Sequence, residues 1–191
     1  MVFQPGEAIR IPAGSTLVFQ MHYTANGKAA EDQTSVGLIF ATEPPEREIL
    51  ASAFLNSLLK LPAGAPDTAI DSAIEFTQDV HLQSLIPHTH LRGKSWQYRV
   101  IDPDGGSEVV LDVPHYDFNW QTWYTFAKPL AVPKGSRLEA TAHYDNSANN
   151  PSNPDPNVDV HWGDQTWDEM QFTGITYYVD HPSQVNATLL K

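Results

Sequence analysis

Fifteen prolines and eleven glycines, spread along 191 residues, divide the chain into short apolar runs. Proline cannot continue a helix or donate to a strand ladder, and glycine supplies the positive φ of tight turns. This punctuation predicts many short strands joined by turns. The runs fall at residues 16–23, 35–41, 74–82, 95–102, 108–113, 137–144 and 171–179. Asp102-Pro103-Asp104-Gly105-Gly106 reads as a hairpin turn. Only residues 46–59 carry a helical pattern, with Ile49, Leu50, Ala53, Phe54, Ser57 and Leu58 at three- and four-residue steps. Residues 146–157, rich in Asn and Pro, read as a long surface loop. The predicted fold class is all-β, a jelly-roll β-sandwich with little helix.

One pattern occurs twice. Pro12-Ala13-Gly14-Ser15 leads to His22-Tyr23, and Pro133-Lys134-Gly135-Ser136 leads to His143-Tyr144, each histidine ten residues after its proline. A recurrent turn-and-strand idiom explains this. Duplication of a β unit explains it more fully.

Charge and composition then exclude function classes. Twenty-three acidic residues against eleven basic ones give a net charge of -12, which repels phosphate backbones and argues against nucleic-acid partners. No apolar run approaches the ~20 residues of a membrane helix, so no membrane partner is expected. No secretory-leader pattern follows Met1, which leaves the compartment open. Cysteine is absent, removing disulfides, thiolate metal sites and cysteine nucleophiles together. There is no Gly-x-Ser-x-Gly elbow, phosphate-binding glycine loop or His-Glu-x-x-His helix. Trp96, Trp120, Trp123, Trp162 and Trp167 read as packing residues before sugar-stacking ones. Asn186-Ala187-Thr188 fits a glycosylation acceptor.

A metal must then use His, Met, Asp or Glu. His88-Thr89-His90 places two imidazoles at i and i+2, on one face of a strand. Pro87 marks an edge or bulge, and Gly93 ends the segment. Two surface histidines remain the plain alternative. Met170 is the second clue. A thioether beside two imidazoles makes a copper(I) set with an open position, although a core methionine is the ordinary reading. Asp168-Glu169 reads as a turn-lining pair rather than a catalytic one. His81, seven residues before the pair, is expected to support the ligands from behind or to be structural. By the repeat, His143 is a possible additional metal ligand, joining the pair or replacing Met170.

These motifs resemble the copper type II ascorbate-dependent monooxygenases, which include the peptidylglycine α-hydroxylating and dopamine β-monooxygenases. The resemblance runs over residues 12–180 and rests on His88-Thr89-His90 with Gly93-Lys94, then Asp168-Glu169-Met170. Tyr116-Asp117-Phe118-Asn119-Trp120-Gln121 is closer to bacterial homologues than to the animal enzymes. The resemblance implies two jelly-roll domains in the full architecture, the second holding copper through His88, His90 and Met170. It implies family histidines at His81 and His161, beside the copper without ligating it. Val18-Phe19-Gln20-Met21-His22-Tyr23 resembles the end of the first domain, making His22 a ligand of the other copper. Residues 1–45 are then strands closing that domain, and residues 46–191 are the jelly roll.

The departures are specific. No histidine precedes His22 and no adjacent His-His pair occurs, so the electron-supplying copper site is not encoded here. The peptide-amidating members hold a carboxylate with Arg, Asn and Tyr, where this chain has Ile86, Phe172 and Gly174. The expected function is a mononuclear copper, oxygen-facing domain of a C–H hydroxylating monooxygenase. The alternative is a copper-binding or electron-transfer module without hydroxylase activity. The resemblance implies copper, molecular oxygen, a reductant such as ascorbate, an unidentified small-molecule substrate, and an extracytoplasmic location.

Overall fold

The computed structural model describes residues 2–23 and 25–180, so the Asn186-Ala187-Thr188 triplet lies outside the described residues. The strands, in chain order, are β1 (Glu7–Ala8), β2 (Arg47–Glu48), β3 (Leu50–Leu55), β4 (Lys60–Leu61), β5 (Thr68–Glu75) and β6 (Val80–His88). They continue as β7 (Gly93–Ile101), β8 (Ser107–Val113), β9 (Tyr124–Val132), β10 (Arg137–Tyr144), β11 (Val160–His161) and β12 (Phe172–Tyr178). No helix occurs among the described residues.

Two four-stranded sheets, ordered β3-β12-β6-β9 and β5-β10-β7-β8, form the body. Counted along the chain, their strands pair first with last, second with seventh, third with sixth and fourth with fifth. That nesting is one long hairpin wound over on itself, the jelly-roll arrangement. Its tip is the β7–β8 turn, where Asp102 N–H donates to Gly106 O at 2.7 Å and Gly105 takes φ 91°. The turn expected at residues 102–106 is therefore present.

Period-two alternation explains the core. β10 turns Leu138, Ala140, Ala142 and Tyr144 inward, all fully buried. They face Leu82, Leu85 and Ile175 of the other sheet, with Trp96 and Tyr98 beside them.

Three expectations are corrected. Residues 46–59 are not helix but the strands β2 and β3 followed by a turn, because β12 offers a ladder edge that β3 fills from Leu50↔Tyr177 to Leu55↔Phe172. Tertiary pairing overrides a helical spacing built partly from Ala and Ser. Residues 74–82 are not one strand. Glu75 ends β5 in one sheet and Val80 begins β6 in the other. Residues 16–23 and 35–41 have strand-like alternation but form no strand, and Val18, Phe19, Ile39 and Phe40 are exposed. The turn at Pro12–Ser15 copies the one at Pro133–Ser136, each with a Ser N–H donating to the Pro carbonyl and a glycine at positive φ. The second turn feeds β10, which has β5 and β7 on its flanks, whereas residues 16–23 have no such partners. A strand needs an edge to pair with.

Candidate metal centre

β6 ends at His88, and the connection Thr89–Arg92 carries the chain across to β7 in the other sheet. Pro87 sits where β9 no longer pairs with β6, since that ladder stops at Leu85↔Tyr124. Its missing N–H is harmless on that flank. The crossing turns sharply enough to bring the His88 and His90 rings together, centroids 5.3 Å apart and planes at 84°. Two imidazoles bound through nitrogen about 2 Å from one ion, near a tetrahedral angle, have centroids roughly 5 Å apart. The spacing fits a shared ion.

Hydrogen bonds settle which nitrogens are free. Gln121 donates its amide N–H to Phe118 O at 2.9 Å, so its Oε1 is the atom facing His88 Nδ1 at 2.6 Å. His88 therefore donates from Nδ1. His90 Nδ1 faces the Asp168 carbonyl at 3.2 Å and donates likewise. Both Nε2 lone pairs are left for a metal, and the acceptors behind the rings raise their basicity. Burial lowers the pKa of both imidazoles. Neutral rings are the ligating form.

The turn is built around Thr89 and Gly93. Thr89 is fully buried, its N–H donating to the Tyr116 hydroxyl at 3.2 Å while that hydroxyl donates to Thr89 O at 3.0 Å. A side chain at Gly93 would collide with the Thr89 hydroxyl and lie 2.7 Å from Thr89 Cβ. Glycine is required there by close approach, not by positive φ.

Met170 precedes β12, whose first residue, Phe172, pairs with His88. Met170 is half-buried, and its carbonyl accepts from Tyr144 OH at 2.8 Å. Glu169 is fully buried. Its Oε2 accepts from His90 N at 2.7 Å and Met170 N at 3.1 Å, and its Oε1 from Arg92 N at 2.7 Å. Burial pushes this carboxyl up to about 7, against the pull of the three amides and Arg92. Arg92, also buried, donates from Nε to Asn146 Oδ1 and from Nη1 to Trp167 O, both at 2.9 Å. Asn146 then ties in Pro62 O and Val158 O. The loop at 146–157 is thus anchored at its first residue under the site.

Of the other candidate histidines, His81, His143 and His161 lie elsewhere. His81, expected behind the ligands, is at the far end of β6, stacked on Tyr178 at 4.7 Å and paired with Asp180 at 3.0 Å. Seven strand residues separate it from His88 by roughly 23 Å. His161 is exposed and touches the site only through its carbonyl, which accepts from Glu169 N at 3.1 Å. His143 is in the other sheet with Asp67 at 2.8 Å, pointing away from the face on which its neighbour Tyr144 reaches Met170. His22 is exposed, and its charge opposes protonation of both His88 and His90. Gln121, Glu169, Arg92 and Tyr116 had no signal in spacing that assigned them these roles. Among the described residues no three His, Cys, Asp or Glu side chains gather as a metal cluster.

No curated protein matches the chain at a significant level. Among solved structures it is similar to that of the infectious bursal disease virus Gx strain, at 10% identity over 79% of this chain and 38% of that one, with a TM-score of 0.36. It is also similar to the VP2 subviral particle of that virus, at 12% identity over 77% and 38%, with a TM-score of 0.35. This chain thus spans well under half of those chains, and scores this low bear on neither fold nor function. The sequence profile described as "Copper type II ascorbate-dependent monooxygenase, C-terminal domain" matches residues 67–189, which hold the His88–His90 crossing and Met170. The chain therefore belongs to the copper type II ascorbate-dependent monooxygenase family, carries its C-terminal domain, and has copper as its cofactor.

Proposed function

We propose that this domain holds one copper ion through Nε2 of His88, Nε2 of His90 and the Met170 thioether, and serves the oxygen- and substrate-facing half of a C–H hydroxylation. The observation that supports it is the pair of perpendicular rings, each with Nδ1 committed as a donor and Nε2 free. Two imidazoles alone do not complete a site, and no third His, Asp or Glu joins them among the described residues. A thioether supplies a third ligand and favours the reduced ion. Bound copper supplies oxygen activation, with electrons delivered from ascorbate or another reductant.

The chain's own residues do the positioning. Gln121 and the Asp168 carbonyl hold the two tautomers. Phe172 packs edge-on to His88 and Phe118 edge-on to His90, each at 6.3 Å, so each imidazole has an aromatic flank. The face beside His88 is apolar. Ile86 lies two residues back and pairs with Gly174, and Trp123 lies close enough that a β-carbon on Gly174 would be 3.2 Å from its ring. No charged side chain stands at Ile86, Phe172 or Gly174 to hold a carboxylate, so the substrate is an uncharged molecule with an apolar face rather than a peptide C-terminus.

Copper stoichiometry on stripped and reloaded protein tests this. One copper per chain is expected, lost in His88→Ala, with copper(I) affinity falling at least tenfold in Met170→Ala. Two coppers per chain, or a His88→Ala variant that binds as well as wild type, contradicts the assignment. Tight copper binding with no oxygen-dependent product from any uncharged apolar compound, in the presence of ascorbate, favours the carrier reading.

A further inference from the structure

We propose that Glu169 is a positioning residue of the copper centre, its carboxylate fixing the His90 segment and the Met170 segment against each other. This rests on the ligand assignment made above.

His90 and Met170 come from strands that are neighbours only up to a point. The β6–β12 ladder runs to His88↔Phe172 and no pairing is seen past it. His90 lies beyond the end of β6 and Met170 before the start of β12. Both present a main-chain N–H to the gap between them, and two donors cannot bond each other. Oε2 of Glu169 fills that gap and accepts from both, at 2.7 and 3.1 Å. Oε1 takes the Arg92 N–H at 2.7 Å, which holds the far side of the same turn. The carboxylate thus stands in for the missing rung of the ladder, joining segments 79 residues apart in sequence.

The surroundings make this link rigid. Glu169 and Arg92 are both buried, and the Arg92 guanidinium is itself held by Asn146 and the Trp167 carbonyl. The Trp167 carbonyl precedes Asp168, whose own carbonyl orients the His90 ring. One buried network therefore sets the main chain on both sides of the centre and the ring of one ligand. The imidazoles need only the β6–β7 crossing to meet, but the thioether reaches them only if Met170 is held at the right separation. Loss of the link should then act on the sulfur ligand first, and so on copper(I) before copper(II).

The test measures copper(I) and copper(II) affinities by chelator competition on the full chain, together with the reduction potential of the bound ion. The variants are Glu169→Gln, Glu169→Asp, Met170→Ala and Val100→Ala. Val100 is buried near the far end of β7, so its truncation lowers stability without touching the centre. Glutamine has one accepting oxygen where three donors face the site. Glu169→Gln should weaken copper(I) at least tenfold more than copper(II), lowering the potential by about 59 mV or more. Glu169→Asp keeps both oxygens one methylene short. It should restore part of the loss, and it tests the same link if the glutamine variant does not fold. Val100→Ala should leave the ratio unchanged. If the Glu169 variants lose stability but keep the wild-type copper(I)/copper(II) ratio, while Met170→Ala shifts it, the positioning role is overturned and the ligand assignment stands. If Met170→Ala itself leaves the ratio unchanged, the ligand assignment fails and the positioning role falls with it.

Discussion

Gln121 Oε1 lies 2.6 Å from His88 Nδ1, and it is oriented there because the other end of its amide donates to Phe118 O. A neutral side chain on an exposed loop thereby chooses the tautomer of a half-buried strand-end imidazole. Gln121→Ala removes the acceptor while leaving the core untouched. Losing such an outer partner typically weakens metal binding about 10–100-fold. Copper affinity should fall within that range with little change in the urea midpoint. Unchanged affinity would mean that His88 is held by other contacts.

Thr89 fills the space that a side chain at Gly93 would need, and Tyr116 closes the other side, 2.9 Å from a β-carbon at position 93. Thr89 is bonded through its main chain to that tyrosine, so neither neighbour yields freely. Gly93→Ala should destabilise the metal-free protein by about 1–3 kcal/mol, as overpacking does, and should also weaken copper binding by moving the His88–His90 turn. Chemical denaturation and copper titration check both. A fully stable alanine variant would contradict the packing.

The copper-free protein should show a pH dependence traceable to the centre. Burial raises Glu169 from 4.5 to about 7. Between those values the folded chain holds the proton and the unfolded chain releases it, so this contribution is complete below about pH 4.5 and is lost as pH rises through 7. Its size is on the order of 3 kcal/mol. His88 and His90 act in the opposite sense. Burial lowers both from 6.5, so the unfolded chain takes up protons first and stability is lost as pH falls below that value. Urea midpoints from pH 5 to 8 should therefore drop less on the alkaline side in Glu169→Gln than in wild type. An identical alkaline slope in the two would contradict the assignment of this group.

Much of the architecture was legible because it is local. The β7–β8 turn carries its own Pro and Gly, and β10 has alternation that matches its buried face. What failed was non-local. The residues of β3 looked helical until the edge of β12 was there to pair with. No run was expected at β9, which holds Pro129; β9 is an edge strand with an irregular register, where a missing donor is tolerated. The boundary between β5 and β6 has no Gly or Pro to mark it. At the centre, spacing pointed to His88 and His90, and the structure brings their rings together by a turn rather than along a strand. The supporting residues act across 33 residues for Gln121 and 79 for Glu169, distances at which no local pattern exists. Asp168-Glu169 read as a turn-lining pair, and the same residues supply a ring acceptor and the acceptor shared by His90 and Met170.

X-ray absorption at the copper edge, on the reduced and singly loaded protein, reads the ligand set itself. Two nitrogen scatterers near 2.0 Å and one sulfur scatterer are expected, the sulfur vanishing in Met170→Ala and one nitrogen in His90→Ala. A wild-type spectrum with nitrogen and oxygen scatterers alone, unchanged by Met170→Ala, would contradict the copper centre described here.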